Sequence, residues 1–236
     1  MSDWKPKRFW KEANVTETDD GFTVMLDARP VRTPAKAPLV VPTRGLAEAI
    51  AKEWDAQGEM LDPATMPVTK GANAAIDKVR IQRDEVITML AEYGDSDLLC
   101  YRAAGPESLI QRQAEGWDPV LDWAANALGA RLFVGEGVMH VPQTARALDL
   151  LRAELEQFDE FALAGVHDLV SISGSLVLAL AVTNGVLSQE EAWSLSRIDE
   201  HWQLEQWGED EEASASEAAK QSAFFDAVRF FRLSLR

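Results

Sequence analysis

The chain has 236 residues, a formal net charge of −16 and a single cysteine, with a pI near 4.6. A chain of that length buries roughly 70–75% of its unfolded surface without disulfide staples, which fits one large domain or two small ones. The average field repels nucleic-acid duplexes and anionic membranes, and Cys100, set in DLLCY, reads as a small buried hydrophobe rather than a nucleophile.

The first eleven residues depart from the acidic average. Lys5, Lys7, Arg8 and Lys11 interleave with Trp4, Phe9 and Trp10. That pattern suits either base stacking on a strand of nucleic acid or, more simply, an amphipathic first strand with a solvated basic edge. The segment has no apolar signal core and contains Pro6, so no secretory leader is expected.

Extended and turn signals follow. Arg8–Val15 is a candidate strand, Asp19-Asp20-Gly21 a turn, and Phe22–Leu26 a second strand. Val31–Thr33 and Leu39–Val41 are short strands cut by Pro30, Pro34, Pro38 and Pro42, which confine them to edges. This is a small antiparallel sheet. Helices then take over: Thr43 caps one through Trp54, and others are expected at 69–80, 83–93 and, from Pro119 in a first turn, to Leu128. Beyond Pro142 four helices are expected, at about 142–157, 159–183, 188–207 and 213–235. Strands first and helices after is the α+β order. We expect an N-terminal β-rich part with the first helix over 1–62 and a helical domain over 63–236. The most apolar run, Leu169–Val182, is shorter than the roughly 20 residues that a membrane span needs and reads as a buried core helix. A soluble, cytoplasmic protein without stable membrane insertion is expected.

Catalytic signatures are missing from the sequence. There is no GxxxxGK[ST], and Gly135-Glu136-Gly137 lacks the third glycine of a dinucleotide fingerprint. Ser173-Gly174-Ser175 is a close-packing or helix-kink signal, not a nucleophile elbow. His140, His167 and His201 are scattered, so no zinc site of the usual kind is encoded and no cofactor is expected. Two acidic constellations remain. Asp95 and Asp97, in YGDSDLL, either hold a divalent metal for a metal-dependent enzyme or serve as turn and capping aspartates. His201 and Glu205 are i,i+4 neighbours, which most simply is a surface pair.

The segment from Ser188 to Glu212 holds three of the eight tryptophans and nine acidic residues against one base, Arg197. Ser188 is an N-cap with Glu190 and Glu191 in the first turn, and Gly208 is a stop. At about 100° per residue, Trp193, Leu204 and Trp207 share one face of a single helix, with Leu195, Ile198 and Trp202 roughly opposite. Two apolar faces mean that the helix is sandwiched. Glu200 projects within the first face, where a carboxylate needs a cation, either internal or brought by a partner. Trp54, flanked by Glu53 and Asp55, is a second aromatic of interest, as an interface anchor or a structural residue.

Taken together, RFWKEANV (8–15), LDARPVRTPAKAPLVVPT (26–43), EWDAQ (53–57), DLLCYRA (97–103), WDPVLDWA (117–124) and LSRIDEHWQLEQWG (195–208) are highly specific. The chain resembles, nearly end to end, the assembly chaperones that escort the alpha subunit of the F-type ATP synthase. Its start close to RFWKEANV is similar to bacterial rather than mitochondrial members, which carry a targeting extension. The resemblance implies a sheet part followed by a helical part, no cofactor, no enzymatic activity and the unassembled alpha subunit as partner. The family's late-helix pattern is matched by Glu200, Gln203, Trp207 and Gly208, while Ile198 and Asp199 replace a leucine and a glutamate. Glu200, Trp207, Trp193, Asp199 and Gln203 are therefore the expected partner-binding residues, with Trp54 a structural candidate. A generic interaction module for another complex is the other reading.

Overall fold

The computed structural model describes residues 7–208 and 211–235, without the side chains of 211–213. Trp4, Lys5 and Pro6 lie outside the described residues. The fold is α+β, with a small antiparallel sheet at the N-terminus and helices after it. The chain divides into two compact units.

The first unit comprises residues 1–83, 159–165 and 229–236. β1 (Ala13–Thr18) and β2 (Gly21–Leu26) pair antiparallel around the two-residue Asp19-Asp20 turn, with Thr18 opposite Gly21 and Ala13 opposite Leu26. β3 (Arg29–Pro30) and β4 (Val40–Val41) pair with the two ends of β2. The pieces expected at Val31–Thr33 and Leu39–Val41 are thus reduced, by a proline at every fourth place from Pro30 to Pro42, to two residue pairs and one Arg32–Pro38 bridge. The first strand starts at Ala13, not Arg8, because Arg8 is otherwise engaged. Its guanidinium donates to the carbonyls of Asp55, Gln57, Lys11 and Trp10 and lies 5.3 Å from the Trp10 ring.

α1 (Arg44–Asp55) is capped by Thr43, whose hydroxyl oxygen accepts from the Leu46 N–H. It buries Leu46, Ala47 and Ile50. Glu53 leaves α1 to cap α2 (Pro67–Ala74), accepting from the Val68 and Thr69 N–H groups at 2.7 Å each and from the Thr69 hydroxyl. A π-helical turn over Ala75–Val79 continues α2, and a Cβ on Gly71 would meet the Phe230 ring at 2.8 Å. Trp54 sits edge-to-face on the buried Trp10, with ring centroids 5.1 Å apart. Trp54→Arg puts a cation in that aromatic contact beside the Arg8 guanidinium. We expect it to cost about 3 kcal/mol, read as a lowered melting temperature; an unchanged melt contradicts a packing role for Trp54.

The second unit comprises residues 84–158 and 166–228. It contains α3 (Arg83–Asp95, from Asp84), β5 (Tyr101–Arg102), α4 (Glu107–Ala127), β6 (Gly135–Glu136) parallel to β5, and α5 (Ala145–Glu156). α6 (Glu160–Ser173) contributes its part from Val166, followed by α7 (Leu176–Thr183), α8 (Gln189–Ser196), α9 (Ile198–Trp207) and α10 (Glu211–Ser234, up to Val228). Pro119 lies inside α4 rather than in the first turn of a separate helix. The missing N–H and ring clash of an interior proline cost about 3 kcal/mol. Contacts on both sides hold the helix continuous: Trp117 is fully buried, Asp118 pairs with Arg102 at 2.7 Å, and Gln113 accepts from the Ala103 N–H.

The single helix expected over 159–183 is two, α6 and α7, because Gly174 adopts a φ of +75° that a side chain disfavours. Ser175 caps α7, accepting from the Leu178 N–H. All residues of Leu176–Val182 are buried, as the apolar run requires. Asp97 sits at this break, fully buried. Its Oδ1 accepts from the Ser175 hydroxyl (2.7 Å) and the Leu99 N–H (3.1 Å), and its Oδ2 from the Val177 N–H (3.0 Å). Asp95 accepts from the Gln143 N–H at 2.8 Å and lies 3.2 Å from His140 Nε2. The two aspartates are thus a cap and a loop anchor. Among the described residues, no group of three or more His, Cys, Asp or Glu residues could hold a metal ion, and no helix is long and apolar enough to cross a membrane.

Candidate functional site

The acidic, tryptophan-rich segment is built entirely within the second unit. Its start follows the sequence. Ser188 and Glu191 form a capping box, the serine hydroxyl accepting from the Glu191 N–H and the Glu191 carboxylate accepting from the Ser188 N–H. The Ser188 N–H, and after it the Ser188 hydroxyl, hydrogen-bond the Glu191 carboxylate and hold that carboxyl below its ordinary range. The one helix expected from 188 to 207 is interrupted, however. Arg197 separates α8 from α9 with φ −118° and ψ 15°. The Leu195 carbonyl, which would continue the helical ladder, accepts the Trp117 indole N–H at 2.8 Å instead. Gly116 supports the break: a Cβ there would lie 2.8 Å from Ile198 Cδ1 and 2.9 Å from Leu195 Cδ2.

The interruption changes the faces that a continuous helix implies. Trp193 does not share an open face with Trp207. It is 3% exposed and packs on Phe224, with ring centroids 5.9 Å apart. α9 is also tied to α4 along one side. Gln113 donates to Asp199 Oδ1 at 2.6 Å, and Arg112 forks both oxygens of Glu205 at 2.8 Å each. The Arg112 hydrogen bonds hold Glu205 below, and raise Arg112 above, their ordinary ranges. Asp199 therefore anchors α9 to α4. Glu205 engages Arg112 and not His201, whose Nε2 is 2.7 Å from Glu217 Oε1 of α10.

With that side occupied, α9 presents Glu200, Gln203, Leu204 and Trp207 at i, i+3, i+4 and i+7 along a groove. Ser216, Glu217 and Lys220 of α10 line it from across, with Arg197 and Gly208 at α9's ends, and its volume is about 380 Å³. Trp207 is 76% exposed, held edge-to-face on Trp202 at 6.1 Å. Gly208, at φ +87°, ends the helix just beyond it. The cation that Glu200 requires is Arg197, three residues earlier in its own segment, at 2.8 Å. Glu200 remains half exposed. Of the sequence-derived residues, Glu200, Gln203 and Trp207 meet in the groove, Asp199 and Trp193 lie behind it, and Trp54 belongs to the first unit. The α10 residues were not legible as partners, because the register of α10 against α9 is set by packing that no local pattern encodes.

Among the described residues that line the groove, none form a nucleophile–base arrangement. Burial and the neighbouring Asp97 carboxylate push the Cys100 thiol up to about 12, so it stays protonated. What the groove offers is an exposed indole, the apolar side chain of Leu204 and charges of both signs, which suits contact with another molecule.

Comparison with known proteins gives concordant results. The sequence profile of the family described as ATP12 chaperone protein matches residues 7–125. The chain is 26% identical over 219 residues to the protein atp12, mitochondrial, of Schizosaccharomyces pombe, covering 88% of this chain and 75% of that protein. The crystal structure of Atp12 from Paracoccus denitrificans superposes with a TM-score of 0.94 at 50% identity, covering 99% of this chain and all of that one. A protein of Agrobacterium tumefaciens superposes with a TM-score of 0.93 at 46% identity, covering 97% of this chain and 86% of that one. The groove lies beyond the segment matched by the profile and within that spanned by both structures.

Proposed function

From the premise that the chain belongs to the ATP12 chaperone protein family, we propose that it binds the unassembled alpha subunit of the F-type ATP synthase and prevents its aggregation before ring assembly. The observation that carries the proposal is the groove between α9 and α10, where a largely exposed tryptophan stands on a helix tied down along its other side. Exposed aromatics on rigid supports are what protein interfaces use as anchors. A lone subunit of an alternating ring exposes apolar surface that its neighbour later covers, and such surface aggregates. A protein that shields it needs a reversible contact surface and no nucleotide chemistry.

In this reading Glu200, Gln203 and Trp207 touch the client, and Trp193 and Asp199 hold α9 in place. The protein acts in the cytoplasm, without cofactor, nucleic acid or membrane insertion, and it is not an enzyme. Co-expression tests it. The alpha subunit, produced alone and insoluble, should become soluble when this chain is supplied, and the two should purify together. An equally insoluble alpha subunit contradicts the proposal, and capture of an unrelated complex would make the chain a generic interaction module.

A further inference from the structure

Arg197 fills the one-residue gap between α8 and α9, and its guanidinium serves four groups at once. Nη2 donates to the Ile172 carbonyl at 3.0 Å, Nε to the Ser196 hydroxyl at 3.2 Å, and Nη1 to Glu200 Oε1 at 2.8 Å. The guanidinium carbon lies 5.0 Å from the Trp193 ring centroid. The Arg197 side chain is 11% exposed and that of Glu200 51%. Ser196 and Trp193 are buried in the unit. Ile172 lies two residues before the break at Gly174, and Trp193 rests on Phe224.

An exposed i,i+3 ion pair contributes little when both long side chains must be ordered to form it. Here one partner is ordered already. The planar fork of arginine is held by a carbonyl, a hydroxyl and a ring, and Nη1 is thereby aimed at Glu200. A lysine has no such fork and cannot bridge these groups together.

We propose that Arg197 is a positioning residue: it acts through Glu200, fixing that carboxylate in the groove before the client arrives, and Trp193 acts through Arg197. The proposal rests on the reading of Glu200 as a client contact. Pre-ordering removes the entropic cost of immobilising Glu200 at the interface, which in affinity is a factor of roughly 3–10. It also gives Trp193 a part in binding without exposure.

The test is a double-mutant cycle on the affinity for the purified alpha subunit, using Arg197→Met, Glu200→Gln and the double variant, with melting temperatures measured in parallel. Methionine keeps an apolar stem over Trp193 and removes every N–H. Arg197→Met should weaken binding by roughly 3–10-fold, and Glu200→Gln should then cost less than it does in the wild type by about that factor. A residue that only supports the fold lowers the melting temperature while its effect multiplies with that of Glu200→Gln; multiplied effects overturn the proposal. Should Arg197→Met fail to fold, Arg197→Lys takes its place in the cycle. It should be folded and weakened, with the effect of Glu200→Gln again smaller than in the wild type, and full affinity with lysine overturns the proposal. A wild-type chain that does not bind the alpha subunit defeats the functional reading itself, and this proposal with it; wild-type binding with an additive cycle defeats this proposal alone.

Discussion

Replacing Asp97 with alanine lowers the melting temperature by roughly 6–12 °C, corresponding to about 3 kcal/mol in a protein of this size. The carboxylate is fully buried and accepts from the Ser175 hydroxyl and from the Leu99 and Val177 N–H groups. Alanine leaves two backbone donors buried without an acceptor where α6 gives way to α7. Asparagine keeps one acceptor oxygen but turns an N–H toward one of those donors, so Asp97→Asn falls between. Its deficit depends on pH. Burial pushes the Asp97 carboxyl up to about 6 from 3.8, against the pull of its hydrogen bonds. The folded state therefore binds its proton at higher pH than the unfolded chain, and ionising Asp97 lowers stability as pH rises from about 4 to about 6. That contribution, at most about 3 kcal/mol, is present below pH 4 and lost above pH 6. The stability gap between wild type and Asp97→Asn should narrow over that window and stay level above it. A gap that widens with pH contradicts a raised carboxyl at this position.

Glu200→Lys should leave the fold intact and abolish the holding of the client. Glu200 is half exposed and its ion pair with Arg197 lies at the surface on one side, so the loss costs about 1 kcal/mol at most. At the groove the change is larger. Arg197 and Lys220 line it as well, so a third cation reverses the local field where Glu200 and Glu217 balanced it. Reversing a charge that meets a partner in a desolvated contact costs 2 kcal/mol or more, roughly a 30-fold loss of affinity. Circular dichroism should match wild type while the co-expressed alpha subunit returns to the insoluble fraction. If the variant unfolds, Glu200 serves an internal ion pair and its assignment to the client surface fails.

Local chemistry was legible and long-range geometry was not. Thr43, Ser188 and Gly208 mark helix ends in the sequence, because a cap or a stop needs only its own residues. Ser173-Gly174-Ser175 marked a kink, although the helix breaks there outright, with the acceptor supplied by Asp97 from 78 residues away. Helical periodicity placed Trp193 with Trp207, and the break at Arg197 undid that. Its cause, the Trp117 indole on the Leu195 carbonyl, is 78 residues away. Pro119 looked like a helix start because local propensity ignores the anchors at Trp117 and Asp118. The shared face of Glu200, Leu204 and Trp207 was legible, since it lies within one uninterrupted helix, whereas Gln203 came only from the family resemblance. Glu217 and Lys220, on the far wall, were not.

The most direct test of client binding is sedimentation of the purified chain with the isolated alpha subunit, in the absence of nucleotide. A discrete complex should form with the free subunit, be weakened roughly 30-fold or more by Glu200→Lys, and be absent when the alpha subunit is already assembled in its ring. No complex with the free subunit, or equal binding to the assembled ring, would contradict it.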